Sequence, residues 1–437
     1  MTQFSRRSFL KAAGLGSASA LVGLGAASSV AKASKNAHVI VIGGGSGGAT
    51  AAKYLKRFSP DLNVTLIEPH ATYHTCYGSN WVLGGHAEMD EIAQTYDALQ
   101  SRHGVKVVQD TVTGIDPGAR TVKTAGGDTL SYDRLVVSPG ISFRYDNVEG
   151  ITEADAEQVP HAWKAGEQTL ILRRQLEAMP DGGVFVMVVP GNPFRCPPGP
   201  YERASMAAWY FKREKPKSKI LILDNKENFS KQGLFMSGWE QHYGDMIEWV
   251  PSSRGGMVEA VDVATRTAIS DGGFNEFKAD VLNFVPAQQA GKIALDAGLA
   301  VGHWCPVNQM TFESRVHRGI YVIGDSSIAG AMPKSGHSAN GQGKVAAAAI
   351  VRDLAGLEPL PAPTANTCYS LVTPEHAISV AGIYEFEPGE REWEDGQMVL
   401  VPGSGGVSPA DAPATTRQIE AVYTRGWYDG ITADIWG

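Results

Sequence analysis

The side chains of this chain with the widest chemistry are its four cysteines, Cys76, Cys196, Cys305 and Cys368. None stands in C-x-x-C or C-x-x-C-H spacing, so neither a zinc ribbon nor a c-type haem attachment is encoded, and no metal site is expected. Four cysteines allow three complete pairings, and spacing does not choose among them. Cys196 lies in Pro190-Gly191-Asn192-Pro193-Phe194-Arg195-Cys196-Pro197-Pro198-Gly199-Pro200. The prolines fix the direction of the sulfur, and Arg195 next to it would favour the thiolate, the reactive form. Cys76 sits in an aromatic, polar stretch, Tyr73-His74-Thr75-Cys76-Tyr77-Gly78-Ser79-Asn80, read as a loop. Cys305, between Trp304 and Pro306, reads as a packed core thiol.

These residues need a scaffold, and residues 37–68 supply its centre. The apolar, β-branched run 37–42 reads as a buried parallel strand. Gly43-Gly44-Gly45-Ser46-Gly47-Gly48 follows it in G-x-G-x-x-G spacing, and a helix is expected over 49–58. Gly43 makes the tight turn, Gly45 and Ser46 lie where a pyrophosphate approaches the backbone, and Gly48 lets helix pack on strand. The helix N-terminus then faces the anion. Residues 63–67 form the next strand, and Glu68, twenty residues past Gly48, is placed to bind a ribose. Strand, loop, helix, strand and acid in register read as a dinucleotide site. The Cys76 stretch leaves the second strand beside it.

Further along, a hairpin is expected over 121–132 and a returning buried strand over 132–140. Residues 167–179 read as a helix, 184–189 as a strand, 204–211 as a helix and 219–223 as a strand, repeating the order of residues 37–68. Where a second nucleotide would need glycines, the proline-wrapped Cys196 stands instead. Five prolines remove five backbone donors, so the phosphate cradle is lost. Gly319-Ile320-Tyr321-Val322-Ile323-Gly324-Asp325 is a strand presenting an acid at its carboxyl end, where such sheets bind ligands. An alanine-rich helix from 338 or 340 to 354 follows, then a Pro-rich linker over 356–365. In the last region a strand is expected near 377–383 and a Gly/Ser/Pro loop over 402–413, with Trp427, Tyr428 and Trp436 near the end.

At 437 residues there is room for two or three domains. Glycine, 50 residues or about 11 per cent against the usual roughly 7, carries no repeat period. Ser5-Arg6-Arg7-Ser8-Phe9-Leu10-Lys11, a weakly apolar stretch and Ala31-Lys32-Ala33 read as a twin-arginine signal over 1–33, which implies export as a folded protein to the periplasm. Those residues hold four bases and no acid, so the net charge of −8 becomes −12 without them. Such a chain is not a nucleic-acid binder. No other run reaches eighteen apolar residues, so no membrane span is expected.

Three motifs in order, the G-x-G-x-x-G with Glu68, Tyr132 to Gly140 and Arg318 to Asp325, make the chain resemble the pyridine nucleotide-disulfide oxidoreductase superfamily. Within it, the Cys76 stretch, the proline-wrapped Cys196 and Thr367-Cys368-Tyr369-Ser370 are most similar to the flavoprotein subunit of flavocytochrome c sulfide dehydrogenase. The resemblance implies an α/β fold of two Rossmann-like, glutathione-reductase-type domains. A discontinuous FAD-binding domain would take 34–150 and 287–365, a second domain with a degenerate nucleotide site 151–286, and a C-terminal α+β interface domain 366–437. It implies FAD held by Gly43, Gly45, Ser46, Gly48, Glu68, Gly324 and Asp325 and joined covalently through Cys76. Cys196 and Cys368 would form a redox disulfide that hydrosulfide attacks. Glu202 falls where the family has a candidate acid/base, although it reads equally as an exposed acid in a helix's first turn. The partner would be a cytochrome c subunit carrying the haem, in a heterodimer.

Three rivals remain. A sulfide:quinone oxidoreductase shares the fold, but Glu385, Glu387, Glu390, Glu392, Glu394 and Asp395 give the C-terminal region a solvated character. An NAD(P)H-dependent reductase conflicts with the proline-filled second loop. A non-catalytic flavin electron-transfer module would only relay electrons.

Overall fold

The computed structural model describes residues 36–389 and 398–437. The expected export signal, and Glu390, Glu392, Glu394 and Asp395, lie outside the described residues. Glu385 and Glu387 are exposed, as their reading requires.

A five-stranded parallel sheet carries the strands Ile320–Val322, Arg134–Val137, His38–Ile42, Asn63–Ile67 and Lys106–Val108, in that spatial order. Val39, Ile40 and Val41 are wholly buried in its centre, as a near-continuous β-branched run between two covered faces requires. The helix Ser46–Phe58 begins inside the glycine loop, three residues before its apolar pattern does. Two glycines make that close-set start possible. Gly43 has φ +93°, and a side chain on Gly48 would bring its Cβ within 1.9 Å of the Gly43 carbonyl oxygen. The helix Gly336–Leu354 packs against Ser46–Phe58 and completes the layer over the sheet.

The second sheet repeats this plan with four parallel strands, Ile247–Val250, Lys219–Asp224, Val184–Val189 and Val281–Phe284. The helix after its first strand spans Gly199–Glu214 and is much longer than the expected 204–211. It starts directly after Pro198, with Pro200 in its first turn, where a missing N–H costs nothing because those donors lack helical partners anyway. The proline run is therefore a helix-starting turn as well as a lost phosphate loop.

The C-terminal region departs most from expectation. Its antiparallel sheet is built of Thr364–Thr373, His376–Pro388 and Met398–Val407. The last strand takes in half of the expected 402–413 loop, and the register shift between Gly382 and Tyr384 falls opposite Pro402, as an irregularity in the ladder accommodates a missing donor. The 23-residue helix Ala414–Trp436 follows and was not expected as a helix. It returns to the first domain: Trp436 stacks on Tyr73 at 5.2 Å between ring centroids and donates from Nε1 to the Gly44 carbonyl at 3.2 Å. Lys53 Nζ donates to the Ala433 and Asp434 carbonyls at 3.1 and 2.9 Å, a cation on the negative end of the helix. The stretch read as a loop at 73–80 is structured, with a strand Thr72–His74, a 3-10 turn Cys76–Gly78 and a short helix Ser79–Leu83.

Candidate active site

A cleft of about 950 Å³ opens at the carboxyl ends of the first sheet. Gly43, Gly45, Ser46, Glu68, Gly324 and Asp325 line it, and six of the seven residues expected to hold a dinucleotide are thereby gathered. Gly48 is the exception: it lies beneath Gly43, acts in packing, and does not line the cleft. Glu68 is nearly buried and accepts from the Gly44 N–H at 2.8 Å and the His70 N–H at 3.0 Å, so the loop itself orients the carboxylate. Two oxygens offer about four acceptor directions, and room for a ligand hydroxyl remains.

Asp325 tests the fit of a flavin nucleotide. Its Oδ1 is buried with no hydrogen-bond partner among the described residues, while Oδ2 lies 3.9 Å from the Arg195 guanidinium. A buried acceptor without a donor calls for one from a ligand, and the hydroxyls of a ribityl chain are of that kind. Burial raises its carboxyl, against the pull of Arg195 and Lys334. Lys334, which the sequence did not single out, donates from Nζ to the Asp325 and Ser327 carbonyls at 2.7 and 2.9 Å and lies 3.8 Å from the centre of the Trp304 ring. Burial pushes its ammonium down to about 8. The residues present fit the dinucleotide.

Cys76, Arg195 and Asp325 also border a second, smaller cavity of about 240 Å³. Cys196 and Cys368 line this second cavity too. Three sulfurs from three separate parts of the chain thus converge beside the nucleotide cleft. Cys305 is not with them; it is fully buried in a short strand paired to Ser327, and burial pushes its thiol up to about 12, as its reading as a packed thiol requires. All four cysteines are free thiols here. The Cys196 to Cys368 disulfide is accordingly not formed in this structure, although both residues face one cavity.

Cys196 has φ +57°, in the left-handed region, which costs a residue with a side chain roughly 1–2 kcal/mol. Its N–H donates to the Lys334 carbonyl at 2.7 Å and its carbonyl accepts from the Gly199 N–H at 2.8 Å, which together impose the conformation. A Cβ on Gly199 would stand 2.9 Å from the sulfur, so the thiol rests on the first residue of the helix Gly199–Glu214. Burial and then the neighbouring Cys368, Cys76 and Glu202 push this thiol well up. Arg195 opposes them only weakly. Its guanidinium instead donates to the Trp163 carbonyl and is drawn more strongly to Cys76 and Asp325. Arg195 thus favours the Cys196 thiolate in the direction expected, but burial and the neighbouring acid and thiols outweigh it.

The cation beside the other cysteine was missed. Lys231 is buried, and its Nζ donates to Ser370 Oγ at 2.8 Å and lies 3.5 Å from the Cys368 carbonyl oxygen. Burial raises the Cys368 thiol, and Lys231 is the main influence against it. No motif marks this lysine, because its partners lie 137 and more residues away. Glu202 is buried rather than exposed, which removes the alternative of a solvated first-turn acid. It accepts from the Leu371 N–H at 2.9 Å and from Asn80 Nδ2 at 3.2 Å. Burial raises its carboxyl despite these donors.

Comparison with known proteins decides the family. Residues 169–286 match the family model for the central part of the sulfide dehydrogenase [flavocytochrome c] flavoprotein chain, and residues 361–436 match the flavin-binding model of flavocytochrome c sulphide dehydrogenase. A flavoprotein chain of that enzyme from Chlorobaculum thiosulfatiphilum is 52% identical over 45 residues, 10% of this chain and 94% of that sequence. The chain belongs to the flavocytochrome c sulfide dehydrogenase flavoprotein family. Residues 37–184 match the broader pyridine nucleotide-disulphide oxidoreductase model. The family is one of sulfide-oxidising flavoproteins, and its flavin-binding domain points to FAD. Relatives over longer stretches are sulfide:quinone oxidoreductases. The mitochondrial one of Mus musculus is 22% identical over 314 residues, covering 66% of this chain and 65% of that one. The sulfide-quinone reductase of Aquifex aeolicus is 25% identical over 300 residues, covering 66% and 67%. The match thus spans about two thirds of the length of these relatives. A crystal structure of the Aquifex aeolicus sulfide:quinone oxidoreductase superposes with a TM-score of 0.67 at 19% identity over 91% of this chain and 92% of that one, a likeness of fold.

Proposed function

We propose that this flavoprotein is the FAD-carrying subunit of a periplasmic sulfide dehydrogenase, oxidising hydrosulfide at the Cys196 and Cys368 pair and passing electrons to a cytochrome c subunit. The observation that carries the reading is the convergence of Cys76, Cys196 and Cys368 on one cavity that shares its wall with the nucleotide cleft. A soft anion needs an electrophilic sulfur, and a disulfide between Cys196 and Cys368 provides one. Hydrosulfide opens that bond to a persulfide on one cysteine and a thiolate on the other. Gly43, Gly45, Ser46 and Glu68 would hold the adenosine half of FAD, Gly324 and Asp325 the ribityl chain, and Cys76 the covalent link to the flavin. A bound FAD supplies an acceptor that takes two electrons together and releases them singly. Arg195 and the N-terminus of the helix Gly336–Leu354 bring positive charge to that part of the cleft. Glu202, buried with its carboxyl raised, serves as the proton carrier for the persulfide.

Two measurements test the reading. Mass spectrometry of the denatured mature chain should find the FAD mass on the Cys76 peptide; free FAD in its place would contradict the covalent link. Cys196→Ser should abolish sulfide-dependent cytochrome c reduction while FAD stays bound, whereas full activity would mean that the chain only relays electrons.

The quinone reading has its own support in the longer matches to sulfide:quinone oxidoreductases. Among the described residues no helix is long and apolar enough to cross a membrane. Parallel assays with cytochrome c and with a soluble quinone separate the two acceptors: faster reduction of the quinone would overturn the cytochrome assignment. Export by the twin-arginine route is tested by fusing residues 1–33 to a reporter, whose transport should fail with Arg6→Lys and Arg7→Lys together.

A further inference from the structure

Three segments of the chain carry the sulfurs of the cavity, and one carboxylate joins all three. Glu202 lies six residues after Cys196, in the first turn of the helix Gly199–Glu214. Its Oε1 accepts from the N–H of Leu371, three residues after Cys368, at 2.9 Å. Its Oε2 accepts from Nδ2 of Asn80, four residues after Cys76, at 3.2 Å. Glu202 and Asn80 are each 5% exposed, so bulk water does not compete for these bonds.

Asn80 directs its whole amide at that helix. Nδ2 donates a second time, to the Gly199 carbonyl at 3.1 Å, and Oδ1 accepts from Arg203 Nε at 3.2 Å. The amide fits only this way round, because a guanidinium can only donate while a carbonyl and a carboxylate can only accept. Gly199 is the residue on which the Cys196 sulfur rests, and a Cβ there would stand 2.9 Å from it. Arg203, fully buried, is held in turn by Asn283 Oδ1 at 2.8 Å and the His161 carbonyl at 3.0 Å. The carboxylate is therefore fixed by a side chain that is itself fixed at both ends. The titratable groups that face Glu202 from its surroundings are Lys231 at the entry to the helix Gln232–Tyr243, Cys368 on the strand Thr364–Thr373 and Cys196 ahead of its own helix.

We infer that Asn80 is a positioning residue for the proton step: its amide holds the Glu202 carboxylate that takes the S–H proton of the persulfide. The inference rests on the proton-carrier reading of Glu202 above. In the step, one proton leaves the persulfide sulfur for a carboxylate oxygen, the sulfur keeps the electron pair of the S–H bond, and no oxidant is involved. A donor on a buried carboxylate favours its charged form, while burial opposes that form. Without the Asn80 amide the carboxyl would keep its proton to higher pH, and a carboxyl already protonated cannot take another.

Infrared pH titration of the holoprotein tests this. The carbonyl band of a protonated carboxyl that disappears in Glu202→Gln reports Glu202 itself. No such band at any pH would mean that Glu202 never carries a proton, and the proton-carrier reading would fall and the inference with it. With the band present, Asn80→Ala should raise its pH midpoint by about one unit or more. The part of the pH profile of hydrosulfide-dependent FAD reduction that Glu202→Gln removes should move by the same amount. Asn80→Asp, equal in shape and still able to accept from Arg203 Nε, puts a second carboxylate in place of the donor and should raise the midpoint at least as far. A role confined to packing would lower the rate or the FAD content of both variants and leave the midpoint where it was. That result would overturn the inference with the proton-carrier reading intact. Should Asn80→Ala not fold, Asn80→Asp alone decides.

Discussion

At the scale of single residues the glycines and the sulfurs obey different rules. Gly48 matters for what it lacks: a Cβ there would stand 1.9 Å from a carbonyl oxygen that cannot move without opening the loop. Gly48→Ala should therefore destabilise by about 3 kcal/mol or more, at or above the upper end of ordinary overpacking, and release FAD, as denaturant titration and flavin fluorescence would show. Stability within about 0.5 kcal/mol of wild type would mean that the loop yields. The cysteines matter for what surrounds them, and the sequence gives that unevenly. The proline frame of Cys196 is local and could be read directly. Its pairing with Lys334 through the backbone, the burial of Glu202 and the ammonium beside Cys368 come from contacts between distant segments. Arg195 acts on Cys196 in the direction its place in the sequence suggests, but its side chain is shared with Asp325 and the Trp163 carbonyl, which the sequence does not show.

At the scale of elements, legibility followed composition. The strands Asn63–Ile67 and Val184–Val189 were read to the residue, since dense β-branched or aliphatic runs between turn signals leave little choice. The helix Ala414–Trp436 hid because its polarity is partly inverted. Its buried side includes Arg417, Glu420 and Thr424, whereas Ile419, Val422 and Tyr423 are exposed at 50, 71 and 57%. Arg417 and Glu420 can be buried because they pair at 3.0 Å, and the apolar periodicity that marks a helix is lost. The strand Met398–Val407 hid for a simpler reason: its Pro-Gly-Ser-Gly-Gly run has low strand propensity, and the register against His376–Pro388 supplies what propensity does not. Removing the stacking ring with Trp436→Ala should cost about 3–5 kcal/mol and speed hydrogen exchange across 414–436 while the second sheet keeps its protection. Uniform loss of protection would contradict a latch of this kind.

The same latch has a pH signature. Burial alone would raise the Asp434 carboxyl, but hydrogen bonds from Lys344, Tyr54 and Asn340 outweigh it and hold the group down at about 2, against an ordinary 3.8. A carboxyl lowered on folding stabilises the fold fully above its unfolded value and loses that contribution as pH falls through the folded one. The attachment of the helix should accordingly be constant above about pH 4 and weaken between about 4 and 2. Hydrogen exchange of 430–437 over that range would show the decline, and Asp434→Asn should flatten it.

At the scale of the whole molecule, two copies of one nucleotide-binding plan have diverged in use. The first keeps its glycines and its acid at the mouth of a cleft, and the second has exchanged its loop for a cysteine at the start of a helix. The C-terminal sheet brings the third sulfur, and the final helix ties that sheet to the glycine loop of the first unit. This architecture was legible because duplicated strand–helix order survives in sequence even where the site does not. The shared wall between cleft and sulfur cavity was not legible, because it is a product of packing among all three units.

The central claim is that Cys196 and Cys368 are one redox centre. Non-reducing peptide mapping of the oxidised holoprotein, before and after one equivalent of hydrosulfide, addresses it directly. The account predicts a single cross-linked species containing both cysteines that hydrosulfide opens, with one added sulfur on one of the two. Separate, unlinked Cys196 and Cys368 peptides in the oxidised protein, or a cross-link indifferent to hydrosulfide, would contradict it.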